Sequence, residues 1–356
     1  MSNLSEFYRN KRVLITGHTG FIGSWLTKWL EMMNADICGC SLDPPTKPNM
    51  FDVLNLGGKI KDLRIDVRQS DLLRKTIFEF QPEIVFHLAA QPLVLESFDN
   101  PVDTFEVNVI GTVNLLDCLR KTDKVKSIVV VTSDKAYRNE EWVYPYREID
   151  SLGGKDPYSA SKSCQDIAVT SFRGSYFSDA GVGISSVRAG NVIGGGDWAK
   201  DRIVPDLVRS IVDGSTASIR NPNAVRPWQH VLEPVRCMLM LAERMWGSIK
   251  YSGAWNLGPN NQKMITVKEL TDKFIECWRK GDYEVQRSTD AKEADFLQLD
   301  ISKAKQELGW LPIYDVDAIV TLTVEWYKSF YQNADVVLTT ETQINSYFST
   351  VKNDRD

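Results

Sequence analysis

Short apolar runs alternate with amphipathic stretches through the first half of this chain. Lys11 to Thr16, Asp36 to Leu42, the segment around Leu63 to Ile65, Glu83 to Leu88, Ile128 to Val131 and Gly183 to Val187 read as strands, most of them too uniformly apolar for a sheet with one wet face. Between them, helical spacing predicts helices from about Ser24 to Met33, from Asp103 to Leu119 (Val109, Val113, Leu116 and Leu119 on one face) and from Tyr158 to Phe177. Strand and helix in alternation predict an α/β protein built on a Rossmann-type, doubly wound parallel sheet. After Val187 the rhythm changes. Helices are expected over Val231 to Met245, Val267 to Lys280 behind a Thr266 cap, Ile301 to Leu308 and Val316 to Tyr331, with a short strand at Ala254 to Gly258. The expectation is a nucleotide-binding domain over 1–187, with 228–258 returning to it, interleaved with a smaller mixed α/β domain over 188–352.

Composition narrows the class. At 356 residues, 43% hydrophobic and 25% charged, the chain can bury a sizeable core, and a net charge of -5 offers no case for nucleic acid. No apolar run reaches membrane-spanning length and the first residues are polar, so a cytoplasmic location is expected. Six scattered cysteines read as reduced core residues, and three distant histidines give no metal spacing, so no metal is expected.

Candidate chemistry gathers at the strand ends. Gly17, Gly20 and Gly23 stand between the first strand and its helix, where a tight turn, close backbone approach and helix–strand packing suit a dinucleotide pyrophosphate. Asp43, at the end of the second strand, suits an adenosine ribose and would repel a 2'-phosphate, which argues for NAD; opening the Pro44-Pro45 turn is the competing role. Asp66 and Val67 are a plausible adenine contact, and Ala89 and Ala90 leave room for the dinucleotide. The fifth strand delivers Thr132, Ser133, Asp134 and Lys135 to its carboxyl end. Tyr158 and Lys162 then share one face of the next helix, and an ammonium beside a phenol can pull its pKa down by roughly 3 units, about 4 kcal/mol, to make a base near neutrality. Arg202, Arg220, Arg226 and Trp228 fall in loop-like segments that suit a phosphorylated, ring-bearing ligand. The aromatic loop 137–155 reads as a lid or a subunit contact.

Together the Thr16-Gly17-x-x-Gly20-x-x-Gly23 element, Leu88-Ala89-Ala90 and the Tyr158/Lys162 pair resemble the extended short-chain dehydrogenase/reductase family. Within it the chain resembles the sugar-nucleotide 4,6-dehydratases of the CDP-D-glucose type over nearly its whole length. The phrases Gly17 to Leu26, Leu42 to Thr46, Phe86 to Val94, Thr132 to Lys135, Arg188 to Trp198 and Arg220 to Pro234 carry that likeness. The dTDP and GDP types place Asp-Glu where this chain has Asp134-Lys135. An arginine-rich clamp of related enzymes is replaced here by Lys292 to Asp300.

The resemblance implies bound NAD, held also by His18, Thr19, Phe21, Ile22, Leu88, Asn108 and Thr132. It implies CDP-D-glucose as substrate, contacted by Gln91, Arg188, Asn191, Asp197, Trp198 and the three arginines. Tyr158 would take the C4 hydroxyl proton, with Lys162 on the ribose and Ser133 on the reacting oxygen. Asp134 would protonate the departing C6 hydroxyl, and Lys135 would either remove the C5 proton as a neutral amine or stabilise the enolate as a cation. Homodimers or homotetramers, paired through the helices at 103–119 and 158–177, are implied as well. An epimerase on the same fold would need no acid/base pair at Asp134 and Lys135, and a non-catalytic dinucleotide sensor would not need Tyr158 or Lys162.

Overall fold

The computed structural model describes residues 4–260, 265–286 and 296–353. Seven parallel strands form one sheet: β1 (Arg12–Thr16), β2 (Asp36–Ser41), β3 (Lys61–Arg64), β4 (Ile84–His87), β5 (Ser127–Val131), β6 (Gly183–Ala189) and β7 (Gly253–Leu257). Their spatial order is β7-β6-β5-β4-β1-β2-β3. Chain order reverses between β1 and β4, and the crevice beyond the strand ends at such a point is where open α/β sheets bind ligands.

Both faces of this sheet are covered, which explains the uniformly apolar strands. Val13, Ile15, Ile84, Phe86 and Val129 belong to one buried cluster, while Leu14, Val85, Ile128 and Val130 belong to the other. Alternate side chains of a strand point to opposite faces, so a strand buried on both favours apolar residues at successive positions, and a polar one there needs a partner inside the protein. Helix α1 (Phe21–Met32) and helix α2 (Pro157–Phe172) supply the layers nearest the site. Pro157 at the first turn and Asp156 accepting the Ser159 N–H fix where α2 begins.

The remaining chain wraps one end of the sheet. Two small parallel pairs, 192–193 with 229–230 and 217–219 with 283–285, lie in this part. A helix at Ile203–Asp213 buries Val204, Leu207, Val208 and Ile211, an i, i+3, i+4, i+7 stripe within what reads from sequence as loop. A final helix, Val336–Asn353, runs past the last helix expected from the pattern. It docks on α1: Trp29 packs edge-on against Tyr347 and Phe348, and the buried Lys28 ammonium sits 2.7 Å from Glu31 and 2.6 Å from Glu341. The loop 137–155 is pinned away from the cleft, with Tyr137 and Trp142 stacked on the two sides of Tyr146 and the Tyr146 backbone bonded to Gln298 and Asp300. No helix among the described residues is long and apolar enough to cross a membrane.

Candidate active site

A cavity of about 860 Å³ opens at the carboxyl end of the sheet. Its first wall is the turn between β1 and α1. Gly17 has φ +78°, and a Cβ there would lie 2.6 Å from the Ala89 nitrogen; at Gly23 it would lie 2.1 Å from the Gly17 carbonyl oxygen. Gly20 differs, because a Cβ would meet only the Gly17 oxygen at 3.4 Å. The backbone at Gly20 therefore borders the cavity, and α1 begins there with no side-chain cap on its free N–H groups. This cradle fits a pyrophosphate. Thr19, Phe21 and Ile22 line it too. His18 does not: its ring is buried beneath Gly39 and bonded to Asp62 at 2.8 Å, so only its backbone belongs to the turn.

Asp43, Asp66 and Val67 line the far end. Asp43 is highly exposed, and its carboxylate accepts from Arg64 Nε at 2.9 Å. Arg64 also bonds Asp62 and lies over the Phe51 ring. Arg68 grips Asp66 through two nitrogens and holds its pKa below the usual carboxylate value. Leu88, Ala89 and Ala90 form the cavity floor, whereas Asn108 stands behind it: its side chain accepts from Gln91 N–H at 2.8 Å and donates to Ser161 Oγ at 2.9 Å. Asn108 thus braces the floor against α2 rather than facing a ligand.

Val131 to Lys135 and, from α2, Tyr158 and Lys162 converge at the centre. Ser133 Oγ accepts from the Lys135 N–H and donates to Asp134 Oδ1 at 3.0 Å, and its bond to the Tyr158 phenol draws that pKa down. Burial opposes this and wins, pushing Tyr158 up to about 12. The same burial brings Lys162 down to about 7. The phenol made acidic by its lysine is therefore not what this fold produces on its own. The Lys162 amine is directed at Gln165 Oε1, 2.9 Å away, and at Val131 O, 3.4 Å away. Burial raises the Asp134 carboxyl, against the charges of Lys135 and Arg226 and the Ser133 bond. A raised carboxyl holds its proton further toward neutrality, as a general acid requires.

At the other end Asn191, Asp197, Arg202, Arg220 and Arg226 line the cavity, with Arg202 bonded to Asp197 at 2.9 Å and Arg220 to Asp201 at 3.4 Å. Three expected substrate contacts lie elsewhere. Arg188 is buried in a two-pronged pair with Asp166, both bonds 2.8 Å, and donates to Tyr137 OH at 2.9 Å; a buried carboxylate at the back of α2 claims it. Trp198 packs against Trp326, Tyr327 and Phe330 in the core. Gln91 turns its amide to Leu93 and Thr104. The sequence reading missed the wall formed by Ile203 to Asp206 and, on either side of the expected Arg220, by Ser218, Ile219 and Asn221. The apolar stripe from Val204 to Ile211 was the available signal for the first. Residues 292–295 of the altered clamp lie outside the described residues.

A family model described as GDP-mannose 4,6 dehydratase matches residues 14–323. The chain belongs to this family. The GDP-mannose 4,6-dehydratase family sits within the extended short-chain dehydrogenase/reductases, as the glycine turn and the Tyr158/Lys162 pair imply. The chain is 44% identical over 353 residues to a CDP-glucose 4,6-dehydratase from Salmonella typhimurium, covering 97% of this chain and 98% of that one. Among solved structures it is similar to a UDP-glucose 4-epimerase with UDP-glucose from Thermotoga maritima (TM-score 0.78, 24% identity, 90% of this chain and 99% of that one). It is also similar to a dTDP-glucose 4,6-dehydratase in complex with NAD from Bacillus anthracis (TM-score 0.76, 22% identity, 92% and 99%). These likenesses show the fold.

Proposed function

We propose that this chain is an NAD-dependent hydro-lyase that converts CDP-D-glucose into CDP-4-dehydro-6-deoxy-D-glucose. The observation that carries the reading is Asp134, a buried carboxyl with a raised pKa, joined through Ser133 to Tyr158. An epimerase has no use for a proton donor there, whereas elimination of water needs one. The Salmonella relative carries the same activity in its name over almost the whole length of both chains. The glycine cradle would hold the pyrophosphate of NAD, Asp43 its adenosine ribose, and Lys162 the second ribose. NAD, when bound there, would supply the hydride acceptor for C4 and the hydride source for C6.

This chain's own groups handle the protons. Tyr158 takes the C4 hydroxyl proton while Ser133 bonds the same oxygen. The C4 ketone acidifies the C5 hydrogen, and Lys135 serves its removal, as a neutral base or as a cation beside the enolate. Asp134 protonates the C6 oxygen, which leaves as water, and a proton is returned to C5 when C6 receives hydride. Lys135→Met is expected to oxidise C4 yet lose C5 exchange in deuterated buffer and accumulate unreduced CDP-4-ketoglucose, by mass spectrometry; normal turnover would remove Lys135 from the mechanism. The reading itself is tested by offering CDP-, dTDP-, GDP- and UDP-glucose in turn. CDP-glucose alone should yield the 4-keto-6-deoxy sugar without net NADH.

Arg64 beside Asp43 gives a cofactor prediction. Asp43→Ser removes the carboxylate that repels a 2'-phosphate and leaves a guanidinium in its place. The ratio of NADP to NAD affinity should rise at least tenfold, about 1.4 kcal/mol, by calorimetry, and Arg64→Met added to it should abolish the gain.

We assign the nucleotide side to 1–187 with 228–258, and the sugar-nucleotide side to the rest of 188–352. Six free cysteines agree with a reducing cytoplasm. Val102, Ile110 and Ile167 are exposed apolar residues on the helices at 101–119 and on α2, and we place a second copy of this chain there. Ile110→Glu with Ile167→Glu should reduce the mass measured by light scattering to that of one chain.

A further inference from the structure

Behind Lys162, away from the cleft, runs a chain of buried polar groups that the proposed chemistry leaves unused. Lys162 Nζ donates to Gln165 Oε1 at 2.9 Å, and Gln165 Nε2 donates to Thr112 Oγ1 at 2.9 Å. Thr112 Oγ1 spends its single proton on the Asn108 carbonyl, 2.7 Å away. It must therefore accept from its other neighbours, and His87 Nε2, at 2.8 Å, must carry hydrogen. His87 Nδ1 is then a lone pair that accepts from Thr16 Oγ1 at 2.6 Å, and Thr16 Oγ1 in turn accepts the Ala89 N–H at 3.3 Å. All these side chains are buried. One assignment of protons satisfies the whole chain, and it starts at the floor of the cofactor site.

The consequence falls on the lysine. Because Thr112 has no proton to offer, the Gln165 amide cannot turn round without losing a buried partner, a cost of about 1–3 kcal/mol. Its carbonyl stays aimed at Lys162 and can only accept. With Val131 O at 3.4 Å as a second acceptor, two positions behind the amine are taken. A protonated Lys162 has one N–H left for the cleft; a neutral one turns a lone pair toward it.

We propose that Gln165, locked by Thr112 and His87, is a positioning residue that fixes which face of the Lys162 amine meets the cleft. This rests on the reading that Tyr158 and Lys162 perform the C4 oxidation. The titratable groups around the amine are Tyr158 on its own helix, His87 from β4, and Asp134 and Lys135 from the turn after β5, while Asp166 is held by Arg188. His87 is kept neutral by burial and by the Lys162 charge, down to about 3. With Lys162 itself brought to about 7 by burial, both of its forms occur near neutral pH.

Nitrogen-15 NMR of the holoenzyme's histidine rings, of which the chain has three, reads the chain without any substrate. His87 should show the neutral Nε2–H tautomer throughout the neutral range; the Nδ1–H tautomer would turn the Thr112 proton from the Asn108 carbonyl to His87 and overturn the part of the lock assigned to His87. Turnover across pH then tests the role. Gln165→Glu sets a carboxylate beside the amine and should move the Lys162-dependent limb up by about one pH unit or more. Thr112→Val, which lets the amide turn its NH2 toward the amine, should move that limb down, and Thr112→Ser should return it. A rate lowered equally at every pH, with the limb unmoved, makes Gln165 merely structural and sinks the idea. If CDP-glucose is not turned over while His87 keeps its tautomer, the substrate reading alone has failed, and the pH profiles are taken with the nucleotide sugar that does react.

Discussion

Replacing Tyr158 by phenylalanine is expected to cut the turnover of CDP-glucose by about three orders of magnitude, within the range that a lost general base commands. Binding should change little, because the ring keeps its place at the start of α2 and its packing. The readout is steady-state formation of the 4-keto-6-deoxy product, with affinity measured separately by calorimetry. In the parent, burial lifts the phenol to about 12 in the chain alone, so its ionised fraction, and with it proton abstraction, grows as pH rises. A variant that turned over normally would remove Tyr158 from the chemistry and the family's mechanism from this chain.

Asp134→Asn should separate two properties that usually fall together. Without a proton to give, the C6 hydroxyl becomes a poor leaving group, so C4 oxidation and C5 exchange continue while the dehydrated product disappears by about 10²-fold or more. Stability should move the other way. The folded-state pKa of Asp134 is raised, so the native chain binds more protons than the unfolded one, and its stability falls as pH climbs from the ordinary carboxylate pKa through the raised one. Asparagine has no such burden. The variant should melt higher than the parent at neutral pH, and the gap should close below the ordinary carboxylate range, as a calorimetric series across pH would show. A lower melting point at neutral pH would mean that the carboxyl supports the fold instead of straining it.

The sequence carried the site's backbone better than its electrostatics. The glycine turn, Ser133, Asp134, Tyr158 and Lys162 could be placed because strand ends and helical spacing locate residues whatever surrounds them. The direction of the Tyr158 shift could not, since it depends on how much protein covers the ring, and adjacency to Lys162 says nothing of that. Arg188 and Trp198 failed for a related reason. Each sits in a stretch that borders the cleft, but Asp166 and the rings of Trp326 and Phe330, distant in sequence, draw those two side chains inward. Long-range partners also explain the missed final helix. Its threonines and glutamine look solvent-facing until Trp326 bonds Thr340 and the Leu322 carbonyl accepts from Gln343.

That final helix makes the carboxyl terminus a poor place for engineering. Glu341 neutralises Lys28 on the rear of α1, and the front of α1 is the turn we propose as the phosphate cradle. A fusion or trimming that lifts residues 336–353 would strand a buried ammonium beside Glu31 alone and loosen the segment proposed to hold the dinucleotide. Damage at the tail of this chain would be read out, more than three hundred residues upstream, as a leaking cofactor.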